Sequence, residues 1–137
     1  MALPLDNEAR LNLVPVGEQI TGFEEPDLIY MKLVGTVTED EVRVLNEMQI
    51  DFSRGRPRVY FLIDLSALES LSNAVRRAAI EGLNQMPVAG LAVYDAPLTA
   101  RVLAKLIITG MKLFGKNIPL QFFNDEADAR AWIDQKR

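Results

Sequence analysis

The run Val59 to Ile63, VYFLI, constrains this chain most: five consecutive apolar residues with no polar alternation. A strand that shows water one face alternates, so an unbroken apolar run of strand length has to be covered on both faces. Helical patterns precede and follow it. A strand entered and left through helices pairs with its neighbours in parallel, because parallel strands need a crossover long enough to hold a helix. The run is therefore expected inside a mostly parallel sheet with helices packed on it.

The rest of the chain supplies the other layers. Leu11 to Val16 and Glu18 to Phe23 flank Gly17 and read as a β-hairpin or one interrupted strand, and Leu28 to Val34, closed by Gly35, is the next strand. Thr38 with Glu41 three positions on is a capping box, opening a helix whose inner face carries Val42, Leu45, Met48, Gln49 and Phe52; Gly55 and Pro57 end it. After the Val59 strand, taken to stop at Asp64, small polar residues lead to a second helix over Ser72 to Gln85. Val88 to Tyr94 is a strand, and Pro97 starts a third helix that runs to about Phe114, with Gly115 as its C-cap. Leu120 to Phe123 is the last strand. Asn124 and Asp125 cap a terminal helix with Ala129 and Ala131 to Ile133 as packing positions. The predicted fold class is α/β: a mixed, mostly parallel central sheet with an antiparallel N-terminal edge and helices on both faces. We expect one domain over residues 1–137, with residues 1–10 a flexible tail.

Composition removes several functions. There is no cysteine and no histidine, so thiol nucleophiles, disulfides, thiolate metal sites and every Ser-His or His-metal arrangement are excluded. No apolar run reaches the roughly 18 residues of a membrane span, and MALPLDNEAR has acids and a proline where a signal peptide carries basic and apolar residues. A cytoplasmic location is expected. A net charge of −4 argues against nucleic acid as a partner.

Three places hold candidate chemistry. Asp64, Glu69 and Asp95 fall near strand ends, where paired carboxylates bind cations or shuttle protons, yet no glycine-rich phosphate loop accompanies them. We read no catalytic residue, no metal and no cofactor. The third helix carries a stripe: counted at 100° per residue from Arg101, Lys105 lies at about 40°, Lys112 at about 20° and Lys116 at about 60°, with Ile108 exposed among them. No acidic residue occurs between Ala96 and Asn124. Such a stripe is either a solvated face or a patch for an anionic partner, an acidic protein surface or a membrane. The helix's apolar side, with Leu103, Ile107, Met111 and Phe114, set against Val75, Ala79 and Leu83 of the second helix, is either core or the wall of a lipophilic pocket. Gly82 and Gly110 mark looseness between those helices, close packing, or merely a weak helix position.

The passages FLIDLS at Phe61 to Ser66, AVYDAPLTARVLAKL at Ala92 to Leu106 and QFFNDEADARAWI at Gln121 to Ile133 resemble SpoIIAA-like domains, which are related to STAS domains (sulfate transporter and anti-sigma factor antagonist) and described as CRAL-TRIO-like. The resemblance covers about residues 18 to 135. It implies a non-enzymatic regulatory or protein-interaction module, with a CRAL-TRIO-like carrier or sensor of a lipophilic or anionic ligand as the alternative. Asp64 and Ser66 match the aspartate-x-serine ending the corresponding STAS strand. Where STAS antagonists then have aspartate-serine-serine-glycine, this chain has Ser72, Asn73, Ala74 and Val75, so the phosphoacceptor position falls on Asn73, or on Ser72 with a one-residue shift. A phosphate there would meet free N–H groups at the helix start, with Arg76 and Arg77 one turn on; the plain reading is a Ser72 N-cap. The expected binding residues are Asp64, Ser66, Ser72, Asn73, Arg76, Arg101, Lys105, Lys112 and Lys116. The expected partner is a protein, with a lipophilic ligand, an anionic membrane surface and a homodimer as further options.

Overall fold

The computed structural model describes residues 12–137; the expected tail and Leu11 lie outside the described residues. The strands are β1 (Val14–Val16), β2 (Gln19–Glu24), β3 (Leu28–Thr36), β4 (Val59–Ser70), β5 (Val88–Tyr94) and β6 (Leu120–Phe123). The helices are α1 (Glu39–Ser53), α2 (Asn73–Asn84), α3 (Leu98–Lys112) and α4 (Glu126–Lys136). One six-stranded sheet takes them in chain order, β1 to β3 antiparallel and β3 to β6 parallel. The hairpin turns at Gly17, whose φ of 61° is the left-handed conformation that favours glycine.

Chain-order topology decides where the helices go. Each crossover steps in the same direction and is right-handed by preference, so α1, α2 and α3 all land on one face. There Val42, Leu45, Val75, Ala78, Ala100, Ile108 and Met111 pack on Ile29, Phe61, Ile63, Leu91 and Val93. The opposite face is covered by α4, whose Ala129 and Ile133 meet Leu28, Tyr60, Leu62, Ala92 and Tyr94. Helices thus lie on both faces as expected, three against one among the described residues.

Val59 to Ile63 is interior, with β3 and β5 on its two sides and no residue more than 7% exposed. The capping box is formed: the Glu41 amide donates to Thr38 Oγ1 at 3.2 Å and the Thr38 amide to Glu41 Oε1 at 2.9 Å. Gly82 and Gly110 are close-packing sites. A Cβ on Gly82 would stand 2.2 Å from Asn46 Oδ1, and one on Gly110 would stand 2.4 Å from Ile80 Cδ1.

Three expectations are corrected. The central strand does not stop at Asp64; β4 continues to Ser70, paired with β3 through Val34–Ala67, Gly35–Leu68 and Thr36–Ser70. Register shifts after Lys32 and Gly35 keep Leu65 and Leu68 buried along this extension, which breaks the period a simple strand would show. On α3, Ile108 is buried at 8%, whereas Val102, Leu106, Leu113 and Phe114 are 51%, 48%, 84% and 63% exposed. The buried sector is set by the sheet and α2 beneath, and it is rotated from the one hydrophobicity alone selects. In α4, Ala131 is exposed, and Ala129 and Ile133 carry the contact.

Candidate functional site

The parallel strands all end at one edge of the sheet. After β5 the chain leaves toward the three-helix face, and after β6 it leaves toward the α4 face. Adjacent connections that diverge in this way leave a crevice outside the strand ends, the position where open α/β sheets hold ligands. Here it is a polar hollow of about 340 Å³ lined by Ser66, Asp95, Ala96, Pro97, Arg101, Phe123 and Asn124. Asp95 adopts a left-handed φ of 57° to make the turn, and its amide donates to the Phe123 carbonyl at 3.0 Å, tying the two diverging connections together.

The structure brings Ser66 and Arg101 together in this hollow. Arg101 Nε donates to the Ala96 carbonyl at 3.0 Å, and its guanidinium sits 5.3 Å from the centre of the Phe122 ring. Asp64 points to the α4 side, where it accepts from the Ser66 amide at 2.9 Å and stands 3.9 Å from Lys32 Nζ. Ser72, Asn73 and Arg76 form a separate group at the start of α2. Ser72 Oγ accepts from the Val75 amide at 3.2 Å, Arg76 donates to the Leu71 carbonyl at 2.6 Å, and Arg76 also donates to Asn73 Oδ1. With β4 extended to Ser70, the loop expected over Asp64 to Asn73 shrinks to the few residues after Ser70.

The four cations of the third helix do not form one stripe. Lys116 lies beyond the end of α3 and donates to the carbonyls of Asn84 and Met86 at 2.7 and 3.4 Å, closing the end of α2. Arg101 is half-buried against Phe122. Lys105, 5.8 Å above the same ring, and Lys112 are the two that stand exposed. Beside them run Leu98, Val102, Leu106, Leu113 and Phe114, all exposed.

Beneath α1, α2 and α3 lies a second space, an apolar cavity of about 90 Å³. Its lining includes Phe61, Ile63 and Leu65 of β4, Val42 and Leu45 of α1, Val75, Ala79 and Leu83 of α2, and Ala104 and Ile107 of α3. The three α2 residues and Ile107 are those the sequence placed around a lipophilic pocket. Leu103, Met111 and Phe114 are not part of it: Met111 is fully buried in the core beside it, and Phe114 projects into solvent.

A polar network on the α4 face had no sequence signal. The Tyr30 and Tyr94 hydroxyls are 3.4 Å apart, Tyr94 donates to Glu126 at 3.2 Å, and Arg130 pairs with Glu126 at 2.8 Å and Glu24 at 3.1 Å. Burial raises the pKa of both tyrosines. Burial alone would lower that of Arg130, but Glu126 and Glu24 outweigh it and raise it. Among the described residues, no group of three or more acids, histidines or cysteines is placed to hold a metal ion, and no helix is long and apolar enough to cross a membrane.

A model of the SpoIIAA-like family matches residues 28–134. The chain belongs to the SpoIIAA-like family. The matched region runs from β3 into α4, and so includes the crevice, α3 and the apolar cavity. An uncharacterized protein from Shewanella loihica PV-4 with a SpoIIAA-like fold superposes with a TM-score of 0.61 at 20% identity, over 82% of this chain and 89% of that one. That likeness concerns the fold. No curated protein matches the chain.

Proposed function

We propose that this SpoIIAA-like domain is a non-catalytic interaction module that works through the outward face of α3 and the adjoining crevice at the carboxyl edge of the sheet. The observation that carries this reading is the exposure of Leu98, Val102, Leu106, Leu113 and Phe114 beside Lys105 and Lys112, on a segment with no acidic residue from Ala96 to Asn124. Contiguous exposed apolar side chains mark contact surfaces, and a local cationic surface on a chain of net charge −4 selects an anionic partner. Ser66, Arg101 and Asn124 add polar groups at the end of that surface. Ser72 serves in this reading as the cap of α2.

The test replaces Lys105 and Lys112 with Gln, leaving Arg101 and Lys116 on the backbone carbonyls they hold. Partner recovered with the unaltered protein should fall as salt rises, since exposed charges are screened beyond about 8 Å at physiological ionic strength. The double variant should recover little at any salt. Equal recovery by both proteins would sink the reading.

A second reading, a carrier or sensor of a lipophilic ligand, is favoured by the apolar cavity. Its volume of about 90 Å³ is smaller than the roughly 150 Å³ void that takes up benzene. An acyl chain therefore requires α2 and α3 to separate, and only a compact apolar molecule suits the closed form. Native mass spectrometry of untreated protein would show a bound mass; its absence would leave the cavity as a packing void.

A further inference from the structure

Two opposite charges face the hollow at the carboxyl edge of the sheet without pairing. Asp95 and Arg101 both line it, yet among the described residues the Asp95 carboxylate has no hydrogen-bond or ion-pair partner, and Arg101 engages only its Nε, on the Ala96 carbonyl at 3.0 Å. The terminal nitrogens of Arg101 are left free. Its half-buried side chain is held in place by that bond and by the Phe122 ring, whose centre is 5.3 Å from the guanidinium. Asp95 is also fixed, since its amide donates to the Phe123 carbonyl at 3.0 Å.

The turn that carries Asp95 is a second, independent observation. Its φ of 57° lies in the left-handed region, which glycine enters without steric cost and which Gly17, Gly35, Gly55 and Gly115 adopt elsewhere in the chain. Among the described residues, Asn12 is the other non-glycine residue with such a backbone. Strained positions of this kind gather at ligand sites. What aspartate adds over glycine at position 95 is a carboxylate on the wall of the hollow.

We propose that the hollow binds a small zwitterion of the amino-acid class, with its carboxylate on the Arg101 guanidinium and its ammonium on Asp95. The volume of about 340 Å³ falls within the range of about 300 to 1,000 Å³ of small-molecule pockets. Arginine offers a carboxylate parallel N–H donors, and each of the two ion pairs is charge-assisted. Ser66 brings a hydroxyl and Asn124 an amide to the remaining walls, both side chains without partners among the described residues, and Phe123 supplies an apolar wall. A simple anion would be opposed by Asp95 and a metal cation by Arg101, whereas a molecule that carries both charges satisfies both. The site goes beyond the interaction reading and rests on it for one consequence. Arg101 lies in the first turn of α3, so a bound zwitterion bears directly on the helix whose outward face is the proposed working surface.

The test is a two-dimensional NMR titration of the full chain with each common L-amino acid, with the matching acid that lacks the amine, and with the matching amine that lacks the carboxylate. At least one amino acid should give saturable shifts of the Ser66, Asp95, Ala96 and Asn124 amides, and should bind about tenfold more tightly than either half-molecule. Asp95→Asn keeps a residue that tolerates left-handed backbone, and it should remove the preference for the amino acid over the matching acid. Arg101→Gln should remove the preference over the matching amine. If Arg101→Gln fails to fold, the Asp95→Asn comparison decides alone. The proposal is overturned by the absence of saturable shifts with every amino acid, by equal affinity of the unaltered protein for an amino acid and its matching acid, or by an equal fall of all three affinities in Asp95→Asn. Salt-dependent partner recovery through Lys105 and Lys112 without amino-acid binding overturns the zwitterion site and leaves the interaction reading standing. Amino-acid binding without such a partner supports the site and removes that reading.

Discussion

The two faces of the sheet solve the same burial problem differently. On the three-helix face the contact is apolar and extensive, yet it leaves a void of about 90 Å³ between the strands and α1, α2 and α3. On the other face one helix of 11 residues, among those described, covers the sheet through Ala129 and Ile133, both 0% exposed, and joins it to a chain of polar groups running through Tyr30, Tyr94, Glu126, Arg130 and Glu24. Three helices spanning a twisted sheet meet one another as well as the strands, and glycines at 82 and 110 are needed to let them close. The single helix makes a milder compromise of the same kind, since a Cβ on Gly90 would stand 3.2 Å from the Trp132 ring, and its shortage of apolar area is made up largely by hydrogen bonds. The face with the void is the one that carries the proposed working helix; the face tied by the polar network, in which Arg130 Nη2 alone stays buried and unpaired among the described side chains, anchors the fold.

The largest test of this contrast removes packing from the tight face. Leu62 is 0% exposed and points toward α4. Leu62→Ala should cost about 2 to 5 kcal/mol, from lost burial and an unfilled cavity. Denaturant titration measures it, and a loss below about 0.5 kcal/mol, the range of surface sites, would mean that this face is not close-packed.

A second test asks the same substitution to behave oppositely on the two faces. Ala79 of α2 lines the cavity, and Ala129 of α4 is fully enclosed. Ala129→Leu should destabilise by about 1 to 3 kcal/mol through overpacking, while Ala79→Leu should stabilise by about 1 kcal/mol by filling existing space. Paired thermal melts decide the point. Equal losses at both positions would show that the cavity cannot accept a side chain.

The polar network predicts an alkaline limb. Burial raises both tyrosine pKa values in the folded protein, and the unfolded value is about 10. Above pH 10 the unfolded chain therefore releases tyrosine protons that the folded chain keeps. The contribution is fully present below about pH 10 and is lost as pH rises beyond it. Tyr94→Phe should cost about 1 kcal/mol at neutral pH, through the bond to Glu126, and should make the decline above pH 10 shallower. Parallel slopes for the two proteins would mean that Tyr94 does not titrate differently on folding.

How much of this was legible beforehand varies with the physics of each feature. The interior strand and the Thr38 capping box were readable because each rests on residues adjacent in sequence. The length of β4 was not, since two register shifts against β3 break the alternation after Asp64 and make Ser66 to Ser70 resemble a turn. The orientation of α3 was half readable. Leu103, Ile107 and Met111 do turn inward, but the angle of the buried sector depends on the strands below it, and Arg101 and Lys116 reached backbone carbonyls that no helical wheel contains. The tyrosine network could not be seen at all. Its members lie up to 106 positions apart and meet only because the parallel register sets Tyr30, Leu62 and Ala92 across one face, with α4 above.

The smallest expected effect compares the helix starts on the two faces. Asp125 caps α4 by accepting from the Asp128 amide at 2.9 Å, and two acids follow in the first turn. Ser72 caps α2 by accepting from the Val75 amide at 3.2 Å, with no acid in the first turn. Ser72→Asp gives α2 the kind of start that α4 already has. Asp and Ser cap about equally well, and the added negative charge suits the helix N-terminus. Stability should therefore stay within about 0.5 kcal/mol, and partner recovery should not change if α3 is the working surface. Loss of the partner from Ser72→Asp at unaltered stability, or recovery of Ser72 phosphate from cells, would move the switch to the start of α2. Arg76, now bonded to Leu71 and Asn73, would then be the cation nearest the new charge, and the two helix starts would differ in function as well as in sequence.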